Sequence, residues 1–315
     1  MSIGSSWWKK PNQLLRTSER GSESVGPSDD ETVGGAAVLQ ALSSDYDGAA
    51  AEFYQYLPED LRGVFTNDAI YHRKRYMDML SLRFGNSVLE LGSDKPFISH
   101  FVRQVKPEAT VSTVSIDMPF SPYPITRIDI EQDVFPFAGG SFSDVIFTEV
   151  LEHLFRDPAW TAYQINKVMA PGGRLFLTTP NACGYDVLVN LLSQVAPNGR
   201  NQFYECIESG HPHLWTAGEC RLLLESHGFR VVELTTVDYY EVPLSDHIRE
   251  FLNAASVAPE MNGQVLRIIA EKITDVESPS YPRELFPSGK PVQLNGALLE
   301  WAKKQLPQEP QSTER

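Results

Sequence analysis

The chain has 315 residues, of which 42% are hydrophobic and 22% are charged, close to the averages of globular proteins. A chain of this length and composition buries enough apolar surface to fold without disulfide bonds or structural metals. This excludes a disulfide miniprotein, a fibrous repeat and a wholly disordered chain. The net charge of −14 argues against nucleic acid as the main partner and against an anionic membrane surface, because an acidic surface repels phosphate groups.

The sequence shows no sign of export or of a membrane anchor. Its first residues lack the apolar run of a signal peptide, and no stretch approaches the roughly 18 consecutive apolar residues of a spanning helix. The cysteines Cys183, Cys206 and Cys220 form no C-x-x-C pair, which favours free thiols in a reducing compartment. We therefore predict a cytoplasmic protein with no integral membrane segment.

Composition divides the chain into four segments. Residues 1–35 are rich in Ser, Gly, Glu and Asp, so they cannot bury enough apolar surface to fold and are predicted to be a disordered tail. Residues 36–86 contain helix-forming, aromatic-rich stretches with Asn67 as a candidate N-cap. They predict a helical layer that either packs on the next domain or covers a ligand. Residues 87–275 carry an α/β pattern, and residues 276–315 form a C-terminal extension.

Short apolar runs alternate with helical segments from Ser87 onwards. The predicted strands are SVLEL (87–91), TVSTVSI (110–116), SDVIFTEV (143–150), GRLFLTT (173–179), FRVVELTTV (229–237) and QVLRIIAEKI (264–273). The predicted helices between them are Phe97–Val105, Asp157–Met169 and Ala217–His227, the last with Thr216 as its N-cap. This alternation indicates an α/β fold with a doubly wound, mostly parallel sheet. The last two runs lack a helical crossover of the usual kind, so the final strand is predicted to be antiparallel.

The first predicted strand ends in Glu90-Leu91-Gly92 and leads into a turn at Ser93. In a doubly wound sheet a nucleotide-like cofactor lies at this turn, because glycine allows close backbone approach. The further glycines of a dinucleotide fingerprint are missing. Asp117 follows the second strand, 25 residues after Gly92, where a carboxylate can accept two hydrogen bonds from a ribose diol. The alternatives are a purely structural turn and a solvated aspartate.

Three histidines are candidates for acting on an acceptor, because their ordinary pKa suits proton transfer at neutral pH. His211 and His213 flank Pro212 on a loop that should overhang the carboxyl edge of the sheet, where ligands bind. His153 could equally be a helix-start histidine bound to backbone. A metal site built from the two loop histidines and Glu208 lacks an evident further ligand, so no metal site is predicted.

Several motifs occur in the order and spacing of a known family. They are VLELG, the strand-end Asp117, FPFAGGSFSDVIFTEVLEH, APGGRLFLTTPN and LWTAGECRLLLESHGF. Together they resemble class I S-adenosylmethionine-dependent methyltransferases over Ser87 to Lys272. The resemblance implies a Rossmann-like sheet and S-adenosyl-L-methionine as the cofactor. More narrowly, TTPN and HPHLWT are similar to segments of bacterial methyltransferases linked to polysaccharide and glycan synthesis.

The resemblance also implies which residues lie at the cofactor. They are Glu90, Gly92 and Ser93 at the methionine part, Asp117 and Met118 at the ribose, Glu131 and Gln132 on the adenine side, and Thr148 and Glu149 along the cofactor. The family's usual Gly-x-Gly-x-Gly turn reads GSDKP here. This departure keeps open a third reading, a catalytically silent domain that acts as a binding or scaffold subunit.

The leading functional prediction is methyl transfer from S-adenosylmethionine to a hydroxyl of a sugar or glycan intermediate. The alternative acceptor is a small secondary metabolite or a lipid-like molecule. His211, His213 and His153 are the predicted catalytic candidates. The expected partner is the small-molecule or glycan acceptor, and the oligomeric state stays open, with a homodimer as one alternative.

Overall fold

The computed structural model describes residues 45–93, 97–116, 120–195, 210–240, 244–256 and 258–287. The predicted tail at 1–35 and residues 288–315 lie outside these ranges, so the four-segment division stays a prediction. Asp117 and Met118 also lie outside the described residues.

One mixed sheet forms the centre of the fold. Its described strands are β1 Ser87–Leu91, β2 Thr110–Ser115, β3 Ile125–Arg127, β4 Phe142–Thr148, β5 Met169–Pro180, β6 Phe229–Val237 and β7 Val265–Lys272. The strand order is β3-β2-β1-β4-β5-β7-β6. The first five strands are parallel, and β7 runs antiparallel to both β5 and β6. The predicted fold class, an α/β Rossmann-like sheet with an antiparallel final strand, is therefore confirmed.

Helices cover the sheet and precede it. Those described are α1 at 45–56, α2 Glu59–Tyr71, α3 Arg73–Ser81, α4 Phe97–Val105, α5 Pro158–Val168, α6 Tyr185–Leu192, α7 Ala217–Glu225 and α8 Asp246–Ala255. Short 3-10 helices lie at Leu151–His153 and Pro259–Met261. Among the helices in the described ranges, none combines the length and the apolar character needed to cross a bilayer.

The prediction that Asn67 caps a helix is wrong. Asn67 lies inside α2, which begins eight residues earlier at Glu59 and has its acidic residues Glu59 and Asp60 in the first turn. Carboxylates in the first turn interact favourably with the positive end of the helix dipole. Glu59 and Asp60 therefore indicate a helix start more strongly than Asn67 does. The helical run then breaks at His72 and resumes as α3.

Buried apolar side chains form one cluster on each face of the sheet. Alternate residues of β1 divide between them, because successive strand side chains point to opposite faces. Val88 belongs with α1 to α4, and Leu89 with α5 and α7. On the first face Phe53 and Phe65 contact the ring of Phe97 edge-on, at centroid distances of 5.6 and 5.2 Å. Helices α1 to α3 thus pack on this face of the sheet, and their role as a cover for a ligand stays a prediction.

Helix α7 begins with the predicted cap at Thr216. The Thr216 hydroxyl accepts from the backbone N–H of Glu219, and the Glu219 carboxylate accepts in return from the Thr216 backbone N–H. This capping box satisfies two N–H groups that the helix itself leaves unbonded.

Thr216→Ala is expected to lower the free energy of unfolding by about 1 kcal/mol, because the substitution removes the capping oxygen. Denaturant unfolding measures this change. Thr66→Ala is the control, since the exposed Thr66 hydroxyl donates to the carbonyl of Arg62 within its own helix and caps no helix end. An equal loss in both variants would contradict a specific capping role for Thr216.

Candidate functional site

The carboxyl edge of the sheet contains a topological switch point between β1 and β4. From β1 the chain winds outward through β2 and β3, and from β4 it winds the other way through β5. Ligands of open α/β sheets bind in the crevice at such a point. The turn after β1 and the segment after β4 therefore border the candidate site.

The turn after β1 requires glycine at position 92. Gly92 has a φ of 70°, in the left-handed region, and a Cβ there would lie 2.6 Å from Cγ2 of Val150. The backbone N–H groups of Gly92 and Ser93 both donate to the carbonyl of Val114 in β2. The turn is thus held against β2 and against the segment that follows β4.

Glu90, a predicted cofactor residue, faces into the protein. Its side chain is 4% exposed, and its Oε2 accepts hydrogen bonds from the backbone N–H and the hydroxyl of Ser99 in α4. Burial raises the pKa of this carboxyl to about 7. These contacts join β1 to α4, so they give Glu90 a structural role that its position in the sequence did not indicate. Its assignment to the cofactor stays a prediction.

On the predicted adenine side, Glu131 also binds the protein itself. Its Oε1 accepts from the backbone N–H groups of Arg156 and Asp157, each at 2.7 Å, just before α5. Burial raises the pKa of the Glu131 carboxyl, although these hydrogen bonds oppose the shift. The exposed Gln132 donates to Asp129. The structure therefore shows how Glu131 supports the start of α5, and the adenine assignment stays a prediction.

Glu149 occupies a strained position where β4 ends. Its φ of 54° is left-handed, which costs a non-glycine residue free energy and is typical of functional sites. The Thr178 carbonyl accepts from its backbone N–H, and the Thr178 hydroxyl donates to its Oε1 at 2.8 Å. Thr148, the last residue of β4, precedes it and is half-buried. The strain and these bonds fix the Glu149 carboxylate at the switch point.

Arg75 of α3 reaches this point from the N-terminal layer. One of its terminal nitrogens lies 3.7 Å from Oε2 of Glu149, and its Nε is buried without a hydrogen-bond partner. Arg75 was not among the residues predicted for the site. The available signal was its spacing of four residues from Tyr71 and from Met79, which places the three side chains on one helix face.

Next to this pair lies a group that we call the edge cluster, formed by Glu152, His153 and His211. One possible ligand atom from each residue lies within 4.8 Å of the others. Glu152 is 1% exposed, and its Oε2 accepts from the Thr179 hydroxyl at 2.9 Å. The other carboxylate oxygen, Oε1, is 4.0 Å from Nε2 of His153. The rings of His153 and His211 meet edge-to-face with centroids 4.8 Å apart.

Burial controls the charges of this cluster. It raises the pKa of the Glu152 carboxyl well above the ordinary value, and the nearby Glu149 carboxylate raises it further. Burial lowers the pKa of His211 to about 4, and the neighbouring His153 adds to that effect. His211 is therefore neutral at physiological pH, with a ring nitrogen able to accept a proton or bind a cation.

His213, the other loop histidine, faces different neighbours. Its Nε2 lies 3.4 Å from Oε1 of Glu219, the glutamate of the α7 capping box, and its ring packs edge-on against Trp215. Trp215 is buried and donates to the carbonyl of Leu151. The structure thus brings His153 and His211 together and turns His213 toward the α7 cap. Glu208 lies outside the described residues.

Comparisons with known proteins identify the family. Residues 67–234, just over half of the chain, match the model of a family described as a methyltransferase domain. No curated protein matches the sequence.

Several solved structures are similar at low identity. One is a chain of the complex between the Haloferax volcanii Trm112 methyltransferase activator and a methyltransferase (14% identity, 75% of this chain, 99% of that chain, TM-score 0.45). Another is a SAM-dependent methyltransferase from Archaeoglobus fulgidus (18% identity, 65% of this chain, 94% of that chain, TM-score 0.43). A third is an S-adenosylmethionine-dependent methyltransferase from Mesorhizobium loti (14% identity, 65% of this chain, 99% of that chain, TM-score 0.41). Similarities at this level carry no argument about the acceptor.

Proposed function

Because the chain belongs to the methyltransferase-domain family and its methyl donor is S-adenosylmethionine, we propose that it methylates a hydroxyl oxygen of a polar acceptor, a sugar or glycan intermediate. The observation that carries this proposal is the concentration of charged and imidazole side chains at the switch point. They are Arg75, Glu149, Glu152, His153 and His211.

A polar acceptor suits this edge better than a lipid-like one. The imidazoles of His153 and His211 can exchange hydrogen bonds with the hydroxyls of a sugar. An apolar acceptor would cover the same groups without bonding to them, and each buried polar group left unbonded costs free energy. The polarity of the edge therefore supports the hydroxyl-bearing acceptor over the secondary-metabolite or lipid-like alternative.

The residues beside the switch point fit S-adenosylmethionine. The buried Nε of Arg75, which has no hydrogen-bond partner, can donate to the carboxylate of the methionine part. The fixed carboxylate of Glu149 can accept from its ammonium group, and the Gly92 turn offers a backbone without a side chain in the crevice. When bound, the cofactor supplies an electrophilic methyl group on a sulfonium.

The edge cluster supplies the group that receives the acceptor's proton. Removing that proton makes the hydroxyl oxygen a better nucleophile, and a positioned base contributes typically 10²–10⁴-fold to such a step. The His211 ring lies beside His153 at the carboxyl edge, and burial keeps it neutral, so a ring nitrogen has a lone pair for the proton. The same lowered pKa makes the ring a weaker base than a free histidine. The His153 ring packs edge-to-face against it, and a carboxylate oxygen of Glu152 lies within 4.8 Å of a nitrogen of each ring.

Asp117→Ala is expected to weaken S-adenosylmethionine binding about tenfold to a hundredfold while changing stability little. The proposal gives Asp117 charge-assisted hydrogen bonds to the ribose, worth roughly 1.5–3 kcal/mol. Calorimetric titration with the cofactor measures the effect. Asp60→Ala, which removes an exposed carboxylate of α2, is the control for the change in net charge. Unchanged affinity in Asp117→Ala would contradict the ribose assignment.

The acceptor class is tested by methyl transfer from labelled S-adenosylmethionine. The purified chain is incubated with sugar and glycan extracts, and separately with aromatic, lipid and protein fractions. We expect label in the sugar or glycan fraction at a base-stable ether linkage. Label confined to the lipid or aromatic fractions would support the alternative acceptor. Folded protein that binds no cofactor in calorimetry would support the silent scaffold reading.

A further inference from the structure

We infer that Glu152, His153 and His211 form a binding site for a divalent transition-metal ion. Two imidazoles and one carboxylate are a recurring ligand set for such ions, and they leave coordination positions open for water or substrate. The three residues come from two segments, the 3-10 helix after β4 and the loop before α7. Their ligand atoms all lie within 4.8 Å of one another.

The geometry of His153 is that of a metal ligand with an outer partner. Its Nδ1 lies 3.0 Å from the carbonyl oxygen of Gly210. Because a carbonyl oxygen can only accept, Nδ1 carries the proton, and Nε2 has the lone pair. That Nε2 faces Oε1 of Glu152 at 4.0 Å. In metal-binding histidines the second ring N–H usually donates a hydrogen bond to a carboxylate, a backbone carbonyl or water, and this bond fixes the tautomer.

Glu152 is oriented by a corresponding contact. The Thr179 hydroxyl of β5 donates to Oε2, so Oε1 is the oxygen left facing His153. Ligands at about 2.1 Å from an ion are separated by roughly 3–4 Å. The cluster is slightly wider than that, so small side-chain rotations would close it around an ion. An ion would also supply positive charge beside a carboxylate that is 1% exposed.

The ligand types select among cations. Imidazole nitrogen suits zinc, iron, nickel and copper, whereas magnesium and calcium prefer all-oxygen sites. The cluster lies at the carboxyl edge, close to Glu149, whose negative charge raises the pKa of the Glu152 carboxyl. In that place the ion would contact the acceptor's oxygen, lower its pKa and let its proton pass to water; His211 would then activate the acceptor as a ligand of the ion and not as the base. This last role rests on the proposed function, whereas ion binding by itself does not.

Ion binding is tested on the full chain after removal of bound metals by a chelator. Calorimetric titration with Zn²⁺ is expected to show one ion bound per chain with micromolar affinity. The same titration with Mg²⁺ is expected to show much weaker binding. Neither cofactor nor acceptor is present, so the result is independent of methyl transfer. Absence of a one-to-one Zn²⁺ site, or Mg²⁺ binding as tight as Zn²⁺ binding, would overturn the inference.

Variants then locate the ion. His211→Ala and Glu152→Gln are each expected to weaken Zn²⁺ binding at least 10–100-fold. His213→Ala, on the same loop but facing Glu219, is the matched control and should keep the wild-type affinity. Because Glu152 is buried, thermal unfolding measures whether Glu152→Gln is folded. If that variant is unfolded, the Zn²⁺ affinity of His211→Ala tests the site. Wild-type affinity in His211→Ala, or an equal loss in His213→Ala, would place the ion elsewhere.

Discussion

His211→Ala is expected to lower the methyl-transfer turnover number roughly 10²–10⁴-fold and to leave S-adenosylmethionine affinity near that of the wild type. The physical reason is the position of the ring. It lies against His153 at the carboxyl edge, where the proposed function places the acceptor. Removing the ring takes away a group that activates the acceptor, whether it acts as a base or as an ion ligand, but it removes no group assigned to the cofactor.

Single-turnover kinetics with labelled cofactor measure this effect, and calorimetry measures cofactor affinity in parallel. His213→Ala is the matched control, because its ring packs against Trp215 and its Nε2 faces Glu219. We expect it to retain most of the wild-type turnover and to lose a little stability. Equal, mild effects in both variants would show that the loop only packs. Glu149 and His153 would then be the next candidates for the base.

Gly92→Ala is expected to lower the free energy of unfolding by roughly 2–5 kcal/mol. An alanine at a φ of 70° costs about 1–2 kcal/mol, and its Cβ would lie 2.6 Å from Val150, which adds an overpacking cost of about 1–3 kcal/mol. Relief of that contact would shift the segment that carries Glu149. We therefore expect cofactor affinity to fall as well.

Denaturant unfolding and cofactor calorimetry measure the two effects separately. Gly63→Ala is the matched control, because Gly63 lies inside α2 with a right-handed backbone and open space around its Cα. That substitution should stabilise the protein by about 0.5–1 kcal/mol through helix propensity. A Gly92→Ala variant as stable as the wild type would contradict the packing of this turn against Val150.

The sequence by itself determined most of the regular elements. The predicted bounds of β1, α4 and β6 match the structure, because apolar runs of strand length and helical periodicity are local signals. Thr216 is the cap of α7 as predicted, since a hydroxyl followed by glutamate three residues later is a local pattern. The motif order also predicted the methyltransferase family that the domain match confirms.

Other elements depended on pairing between distant segments. Strand β3 has only three residues and was not predicted, because its stability comes from pairing with β2 rather than from its own composition. Strand β5 starts at Met169, before the Pro-Gly-Gly turn, because Met169 pairs with Phe142 of β4. Strand β4 ends at Thr148 instead of Val150, since the left-handed Glu149 cannot continue it.

The site shows the same division. The family resemblance pointed to Glu149. His153, His211 and His213 were selected by residue type and, for the two loop histidines, by a position expected to overhang the carboxyl edge. Nothing local distinguished His211 from His213, two residues apart, or showed that Glu152 is buried and that Arg75 reaches Glu149. Burial, tautomer and pKa depend on contacts between residues far apart in the chain, such as His153 with Gly210. Only the tertiary structure decides which of those contacts form.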